Sequence, residues 1–486
     1  MSIFLFLYIN FIIPGNVRRI ARKLKKNGYS AYLVGGSIRD ILLYRSAFDY
    51  DLATDALPHE VKTIFKKVIP TGIKHGTVTV LIKKNTYEIT TLRNDGKYSD
   101  GRRPDKVQFT TDITEDLSRR DFTMNGIALD LIKGRIYDPF QGKKDIKNHI
   151  IRAIGNPKDR YREDALRMFR ACRFASQLSF RIEANTFADI SVNREQAKCL
   201  SAERIRDEFV KIIKSPKPSV GLELLRKSGL LKIFLPELLE GYEIIQNEYH
   251  KYDVYYHNLY SCDAASKDNY IIRLAALFHD LGKSRTKRSK ESAITEDSNS
   301  FYNHEIVSAK MAYRILKRMK FSNDEINRIT HLIRYHMFYY THDWTAGAVR
   351  RFIRNVGSQN LGDLFALRLA DRVGNGKKSG QPVILFKFID RIDKIMAEDA
   401  AFKIKDLDID GNMIMNELNL KPGPLIGEIL EHLLEICLDD PENNRQVELI
   451  KLAKQYYEKK SQYTVENYGK KPEELNQYTI NSQKKV

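Results

Sequence analysis

The stretch Tyr32–Ala53, YLVGGSIRDILLYRSAFDYDLA, constrains the fold more than any other part of the chain. Tyr32-Leu33-Val34 is a short apolar run and reads as a buried strand. Gly35-Gly36 then turns the backbone with no Cβ on either residue, so a phosphate can approach the main chain closely. Ser37 reads as an N-cap for a helix running to Leu43. Arg39, one turn into that helix, is placed to meet an anion at its start. Asp49-Tyr50-Asp51 follows. In an extended segment residues two apart face the same side, so Asp49 and Asp51 present two carboxylates together. Such a pair suits hard divalent cations that also hold phosphate oxygens. A GG pair alone is usually a turn, and a DxD alone is usually a solvated loop. The information lies in finding a glycine turn, a basic helix start and a DxD inside one strand–helix–strand unit.

With 486 residues the chain is long enough for two to four domains and a sizeable core. Its 42% hydrophobic and 29% charged residues are those of a globular protein. The formal net charge of +19 favours a polyanionic partner, or serves solubility. The four cysteines, Cys172, Cys199, Cys262 and Cys437, have no CxxC spacing. They exclude a cysteine zinc site or disulfide scaffold and fit a reducing, cytoplasmic compartment. Ser2–Ile13 is strongly apolar, yet shorter than the ~20 residues a bilayer requires. It lacks the basic start and cleavage site of a signal peptide, so it reads as a dispensable extension with no stable membrane partner.

Val17–Asn27 reads as a basic amphipathic helix ended by Gly28. Pro58–Lys67 is a helix by pattern. Thr77–Ile82 and Tyr87–Leu92 are β-branched and aromatic and read as paired strands. Glu88 in the second strand is either a third carboxylate or a solvent-facing strand residue. Arg93–Asp105 is polar and basic: a long hairpin connection, or an element that closes over a triphosphate. Arg119-Arg120-Asp121 precedes an apolar segment. Arg120 can bind phosphate bidentately, and Asp121 can accept from a ribose hydroxyl, orient the arginine, or cap a helix. Asp138–Asp145 is a structural turn, with Gly142 expected at positive φ.

Arg162–Ala175 is helical by periodicity, and Asp164, Arg167, Arg170 and Arg173 form a stripe three residues apart. An arginine row is most often a solvated face. Here Leu166, Met168, Phe169 and Phe174 would hold the helix against a core. An Asp and an Arg on adjacent turns can present a donor and acceptor edge to a nucleobase.

These motifs, in this order, resemble the class II tRNA nucleotidyltransferase and poly(A) polymerase branch of the polymerase β nucleotidyltransferase superfamily. Gly35, Gly36, Arg39 and Asp40 match the first motif of that family, with Asp49 and Asp51 as its metal carboxylates. Arg119-Arg120-Asp121 matches a motif associated with ribose selection. Glu163-Asp164-x-x-Arg167 matches one that reads the incoming base from protein side chains. Glu203-Arg204 to Glu208 matches one that steadies that region. The resemblance implies nucleotide binding at Gly36, Arg39, Arg120, Asp121, Asp164, Arg167, Arg170 and Arg173. It also implies Mg²⁺ in the head, and tRNA, ATP and CTP as partners. Gly72–Val80 and the DGRRP loop are similar to full CCA-adding members, while A-only addition and poly(A) synthesis remain the alternatives.

His257, His279-Asp280, His304, His336 and Asp371 form a second constellation. Imidazole and carboxylate ligands suit Mn²⁺, Fe²⁺, Ni²⁺ or Zn²⁺, and a bridging carboxylate can hold two metals and the water between them. The pattern resembles the HD phosphohydrolase domain. On that resemblance His257, His279, Asp280 and Asp371 are the basic ligand set, and His304 and His336 are the extra histidines of two-metal forms. Lys283 would meet a substrate phosphate. Asn303 stands before His304 where relatives often have Gly, and Ser284–Ser300 reads as a polar surface insert.

The expected architecture is a multidomain α+β chain. A polymerase β-like head of mixed sheet and helices is followed by an all-helical neck and body and an α-helical HD domain. The expected boundaries are an extension at 1–13, the head at 14–150 and the base-reading and RNA-binding region at 151–250. An HD domain at 251–400, a helical region at 401–458 and a polar, Lys-rich tail at 459–486 follow. An HD hydrolase with a decayed head, and a non-enzymatic RNA-binding protein, are the rival readings.

Overall fold

The computed structural model describes residues 12–47, 49–96, 107–246, 248, 250–287, 301–378, 380–397 and 403–468. Most of the apolar N-terminal run, of the 93–105 loop and of the 284–300 insert, together with the tail beyond Tyr468, lie outside the described residues. The chain divides into two compact units, residues 1–333 with 370–376, and residues 334–369 with 377–486.

The first unit begins with the helix Gly15–Lys26, which buries Val17, Ile20, Ala21 and Leu24 along one stripe. A seven-stranded mixed sheet follows, in the order β3-β4-β5-β2-β1-β8-β9. Its strands are β1 (Tyr32–Val34), β2 (Leu52–Thr54), β3 (Val68–Gly72), β4 (Thr77–Ile82), β5 (Asn85–Thr91), β8 (Ala128–Asp130) and β9 (Ile136–Tyr137). A separate two-stranded sheet joins β6 (Arg93–Asp95) to β7 (Val107–Phe109). The pair β2–β5 is parallel and the other pairs of the large sheet are antiparallel. The strand β1 is wholly buried between β2 and β8, as its apolar run requires. Because β2 begins at Leu52, Asp51 sits at the mouth of the sheet, its carbonyl accepting from the Val34 amide at 3.1 Å.

Helices then take over. Leu166–Leu178, Ala202–Ile213 and Pro218–Lys227 pack together. Gly221 is needed at this crossing because a Cβ there would meet Ile212 at 2.8 Å. Buried Arg273, on the helix Tyr270–Phe278, donates to the carbonyls of Ile213 and Ser215 at 2.6 and 2.5 Å. It thereby satisfies carbonyls that the end of Ala202–Ile213 leaves open.

The second unit is helical. Leu407, Ile414, Ile429, Leu433, Leu434, Leu449 and Ala453 form its core, with Tyr456 and Tyr457 packed against it. The helix Gln446–Tyr468 carries regular structure past Lys459, where composition alone suggested a tail. Phe338, Tyr340, Trp344, Phe352 and Phe388 form an aromatic cluster, with Tyr340 stacked on Phe388 at 4.1 Å. Among the described residues no helix is long and apolar enough to cross a membrane.

Several local expectations are corrected. Ser37 does not cap its helix: Gly35 occupies the N-cap position, and the Ser37 hydroxyl donates back to the Val34 carbonyl at 3.0 Å. Gly142 does not adopt positive φ; Gln141 does, at 58°. Gly142 is instead a close-approach residue, since a Cβ there would lie 2.1 Å from the Thr123 carbonyl. The 162–175 helix is broken at Asp164, whose backbone is extended between Pro157–Glu163 and Leu166–Leu178. The Asp164 carboxylate accepts from the Leu166 amide at 3.0 Å, so the side chain competes with the backbone for the helix start.

Candidate functional sites

The head carries a cleft of about 860 Å³. Gly36, Arg39, Asp49, Asp51, Arg120 and Asp121 of the head, with Asp164, Arg167, Arg170 and Arg173 of the helical region after it, all line it. Gly35 explains how the turn and the carboxylates meet. It has φ +72°, and a Cβ there would stand 3.2 Å from Arg120 Nη1 and 3.5 Å from Asp51 Oδ2. Desolvation in the cleft pushes the Asp51 carboxyl up, Arg120 opposes that shift, and Asp49 reinforces it. The Glu88 carboxyl is also pushed up, by desolvation first and then by Asp51 and Asp49. The parallel register pairs Leu52 with Ile89, so Asp51 and Glu88 both fall one residue before that pair. Asp49 and Asp51 thus share one end of the cleft, and Glu88, which does not line it, feels both carboxylates; a divalent cation relieves such repulsion.

A charge network fixes the cleft's cations. Asp116, almost fully buried, accepts from Arg119 at 2.7 Å and from Arg120 at 3.1 Å. Burial pushes its carboxyl up, but the two arginines hold it below the ordinary carboxylate range. Asp121 is no helix cap. It accepts from the Phe122 amide at 2.8 Å, from Asn125 Nδ2 at 2.9 Å and from Arg170 Nε at 2.7 Å. Burial opposes ionisation there too, and Arg170 with Asn125 outweighs it, holding Asp121 far below its usual range. Asn125 also accepts from Arg39 Nη1 at 3.0 Å. Arg39 therefore belongs to a fixed Arg39–Asn125–Asp121–Arg170 chain.

The base-reading candidates are held separately. Arg204 Nη2 donates to both Asp164 oxygens, at 2.8 and 3.1 Å. Arg167 donates to Glu163 at 2.6 Å and to the Arg119 carbonyl at 2.8 Å. Arg173 is buried against Glu208 at 3.2 Å, with its guanidinium 4.1 Å from the Phe174 ring centroid. Burial lowers its pKa to about 10, with Glu208 opposing. Asp116, Asn125 and Glu163 were not singled out as holding residues. Asn125 reaches Arg39 from far along the chain, whereas Asp116 and Glu163 hold arginines only three or four residues away.

The second site lies among helices of the first unit. Its ligand atoms converge: His257 Nε2 lies 3.1 Å from His279 Nε2 and 3.3 Å from both Asp280 Oδ2 and Asp371 Oδ1. His279 Nε2 is 3.3 Å from Asp280 Oδ2 and 3.7 Å from Asp371 Oδ1. Four ligand atoms about 2.1 Å from one tetrahedral ion would stand about 3.4 Å apart. The donor set therefore fits a transition metal. His279 Nδ1 lies 2.8 Å from the Ala276 carbonyl; donating there frees Nε2 for a metal. His304 Nε2 approaches the other oxygen of Asp280, at 3.2 Å. His336 is buried and follows the helix Asn323–Tyr335.

Two glycines and one asparagine permit this convergence. A Cβ on Gly282 would meet the His304 carbonyl at 2.5 Å, and one on Gly374 would meet Ser261 Oγ at 2.1 Å. Asn303 adopts φ 57°, a left-handed conformation that Asn tolerates and that Gly adopts freely. Lys283 Nζ lies 2.6 Å from Asp280 Oδ2 and donates to Gln246 Oε1 at 2.7 Å. Burial opposes charge throughout the site. Coupling to Asp280 and Asp371 nevertheless raises His279 to about 10, and both carboxyls are held well below their usual range. Gln246 and His250, whose ring lies 5.6 Å from that of His257, were not anticipated.

Three family models match the chain. Residues 31–152 match the family described as "Poly A polymerase head domain". Residues 179–241 match "Probable RNA and SrmB- binding site of polymerase A", and residues 241–397 match "HD domain". The chain is 51% identical over 211 residues to the CCA-adding enzyme of Lactobacillus johnsonii; this match covers 43% of the chain and 53% of that protein. The chain thus spans about half the length of that relative. The match to the CCA-adding enzyme of Ligilactobacillus salivarius is 34% identical over 442 residues, covering 91% of the chain and 96% of that protein. The crystal structure of the Bacillus stearothermophilus CCA-adding enzyme in complex with CTP superposes with a TM-score of 0.70. It is 28% identical, with 92% of this chain and 98% of that chain covered.

Proposed function

The chain belongs to the family of CCA-adding enzymes, and from that premise we propose that it adds C, C and A to tRNA 3′ ends from CTP and ATP without a nucleic-acid template. The observation that carries the reading is the single cleft that holds both the carboxylate pair Asp49/Asp51 and the Asp164/Arg167 pair. Asp49 and Asp51 would hold Mg²⁺, and Glu88, whose carboxyl feels both, is the candidate for a third carboxylate. When bound, Mg²⁺ supplies Lewis-acid activation and charge neutralisation on the triphosphate.

The residues of the chain do the rest. The tRNA 3′ oxygen attacks the α-phosphorus, a new P–O bond forms, and the bond to the β-phosphate oxygen breaks to release pyrophosphate. Gly35 and Gly36 let the triphosphate approach the backbone. Arg120, steadied by Asp116, meets its developing charge. Asp121, locked by Asn125 and Arg170, positions the ribose. Asp164 and Arg167 present an acceptor and donors to the base edge, and Arg204 and Glu163 fix their rotamers.

The His257–His279–Asp280–Asp371 cluster would hold a divalent transition metal for phosphoester hydrolysis. That ion would supply an activated water, and Lys283 would hold a substrate phosphate. The tRNA substrate and the cysteine pattern support a cytoplasmic location.

The deciding experiment extends tRNA transcripts ending before CCA, after C or after CC, with CTP, ATP or both, read at single-nucleotide resolution. Three additions and a stop support the reading. Extension of the CC-ended transcript alone means A addition, long A tails mean poly(A) synthesis, and no extension removes the transferase reading.

A further inference from the structure

The helix Gly15–Lys26 carries six cations and no acid: Arg18, Arg19, Arg22, Lys23, Lys25 and Lys26. Val17, Ile20, Ala21 and Leu24 are buried, which leaves the cations the opposite face. Arg19, Arg22, Lys25 and Lys26 are exposed. None of the six pairs with a carboxylate among the described residues. The Lys23 ammonium lies 5.4 Å from the ring centroid of Phe65, which follows the helix Pro58–Ile64. There Lys62, Lys66 and Lys67 are exposed as well. The acids at and just before the start of that helix are engaged with the backbone. Asp55 accepts from the Ser30 amide at 2.8 Å, and Glu60 accepts from the Leu57 amide at 2.7 Å.

This face is costly to the isolated chain. Arg22 has Arg18 and Arg19 one turn before it and Lys25 and Lys26 one turn after it. Like charges at these spacings destabilise a helix. A polyanion laid against the face removes that repulsion. None of the six cations lines the nucleotide cleft, and none lies within the residues that match the RNA-binding model.

The segment leading into the helix decides which polyanion fits. Ser2–Ile13 contains no charged residue and includes Phe4, Phe6 and Phe11. Ile13 is buried, which ties the end of the run to the start of the basic helix. An RNA gains nothing from such a run. A lipid surface uses both features, with apolar side chains among the acyl chains and cations against the headgroup phosphates. The run is too short to span a bilayer, so the attachment is to one surface, reversible and sensitive to salt.

We propose that the basic face of Gly15–Lys26, together with the apolar run before it, docks the chain on an anionic phospholipid surface. The inference goes beyond the tRNA-extension reading and does not depend on it.

The test is sedimentation of the full chain with phosphatidylcholine vesicles, with or without roughly one-third phosphatidylglycerol. The wild-type protein should sediment with the anionic vesicles only, and raising salt from about 0.05 M to about 0.5 M should release it. Arg19→Gln/Arg22→Gln/Lys26→Gln should weaken vesicle binding by about tenfold or more. Phe4→Ser/Phe6→Ser should weaken it as well, by removing apolar side chains instead of charge. Both variants should keep the wild-type denaturation midpoint and bind a tRNA transcript within about twofold of wild type. Wild-type protein that stays in solution with anionic vesicles overturns the proposal, as does equal sedimentation with both vesicle types. Wild-type vesicle binding by either variant overturns it too. Loss of tRNA affinity in the glutamine variant with unchanged vesicle binding would assign the face to RNA instead.

Discussion

The nucleotide cleft and the histidine–aspartate cluster gather negative side chains by opposite routes. Asp49 and Asp51 are exposed, come from one local segment, and are surrounded by arginines fixed in place by Asp116, Asp121 and Glu163. Asp280 is only 2% exposed, and besides adjacent His279 and nearby Lys283 it meets His257 and His304 from helices far along the chain. The open site would keep a path for a polymer end and a triphosphate, at the cost of some desolvation of Asp51. The closed site removes most water from His257, His279 and Asp280, so their charges must be compensated inside the protein. Lys283 does this for Asp280 directly. The difference teaches that carboxylates can be gathered locally and left open in one place, and gathered from distant helices and enclosed in the other.

The comparison breaks most visibly if the carboxylates are removed one site at a time. Asp49→Ala with Asp51→Ala should lower nucleotide incorporation on the order of a thousandfold or more while tRNA still binds. Full residual incorporation would sink the catalytic assignment. Asp280→Asn should abolish metal uptake by the buried site, read by metal analysis of the purified protein, and should leave single-nucleotide addition in the presence of Mg²⁺ within about twofold, because the ligands of the two sites are disjoint. Parallel loss of both activities would show that the sites are coupled.

Arg204→Ala should release Asp164 and reduce discrimination between correct and incorrect nucleotides by about 10- to 100-fold in kcat/KM ratio. A variant that loses rate equally for every nucleotide would assign Arg204 a purely structural role.

Asp121→Asn removes one member of a buried pair and should cost about 3 kcal/mol, read as a lower denaturation midpoint. The sign of the pH dependence follows from the depressed folded pKa of Asp121. Its stabilisation is fully present above the unfolded value of about 4 and is lost as pH falls through the folded value. The gap between wild type and variant should therefore be constant near neutrality and narrow on acidification below about pH 4. A gap that widens in acid would contradict the assignment.

The smallest effect belongs to the turn before His304. Asn303→Gly should change stability by less than about 0.5 kcal/mol, whereas Asn303→Val should cost about 1 kcal/mol or more, because a β-branched residue resists φ 57°. Equal costs would show that the Asn side chain, rather than its backbone, is what the turn requires.

Much of both sites was legible in sequence because their elements are local. An apolar triplet, two glycines and a DxD dictate a strand, a turn and a carboxylate pair within about 20 residues. An apolar helix ending in His279-Asp280 likewise announces its own chemistry. Other decisions lay outside that range. The sequence suggested one helix through Asp164, yet the carboxylate captures the Leu166 amide and ends it. Gly142 looked like a turn glycine, yet packing against Thr123 is what requires it. Asn125 and Gln246 carry no local signal, because each acts through a partner distant in the chain.

The sequence by itself determined which elements form and which residues can do chemistry, since backbone propensity and side-chain type act over a few neighbouring positions. Only the tertiary structure decided how the charges pair: Arg204 with Asp164, Arg170 with Asp121, and Arg173 with Glu208. Coulombic and hydrogen-bonding energies depend on distance and desolvation in space, and packing alone sets both.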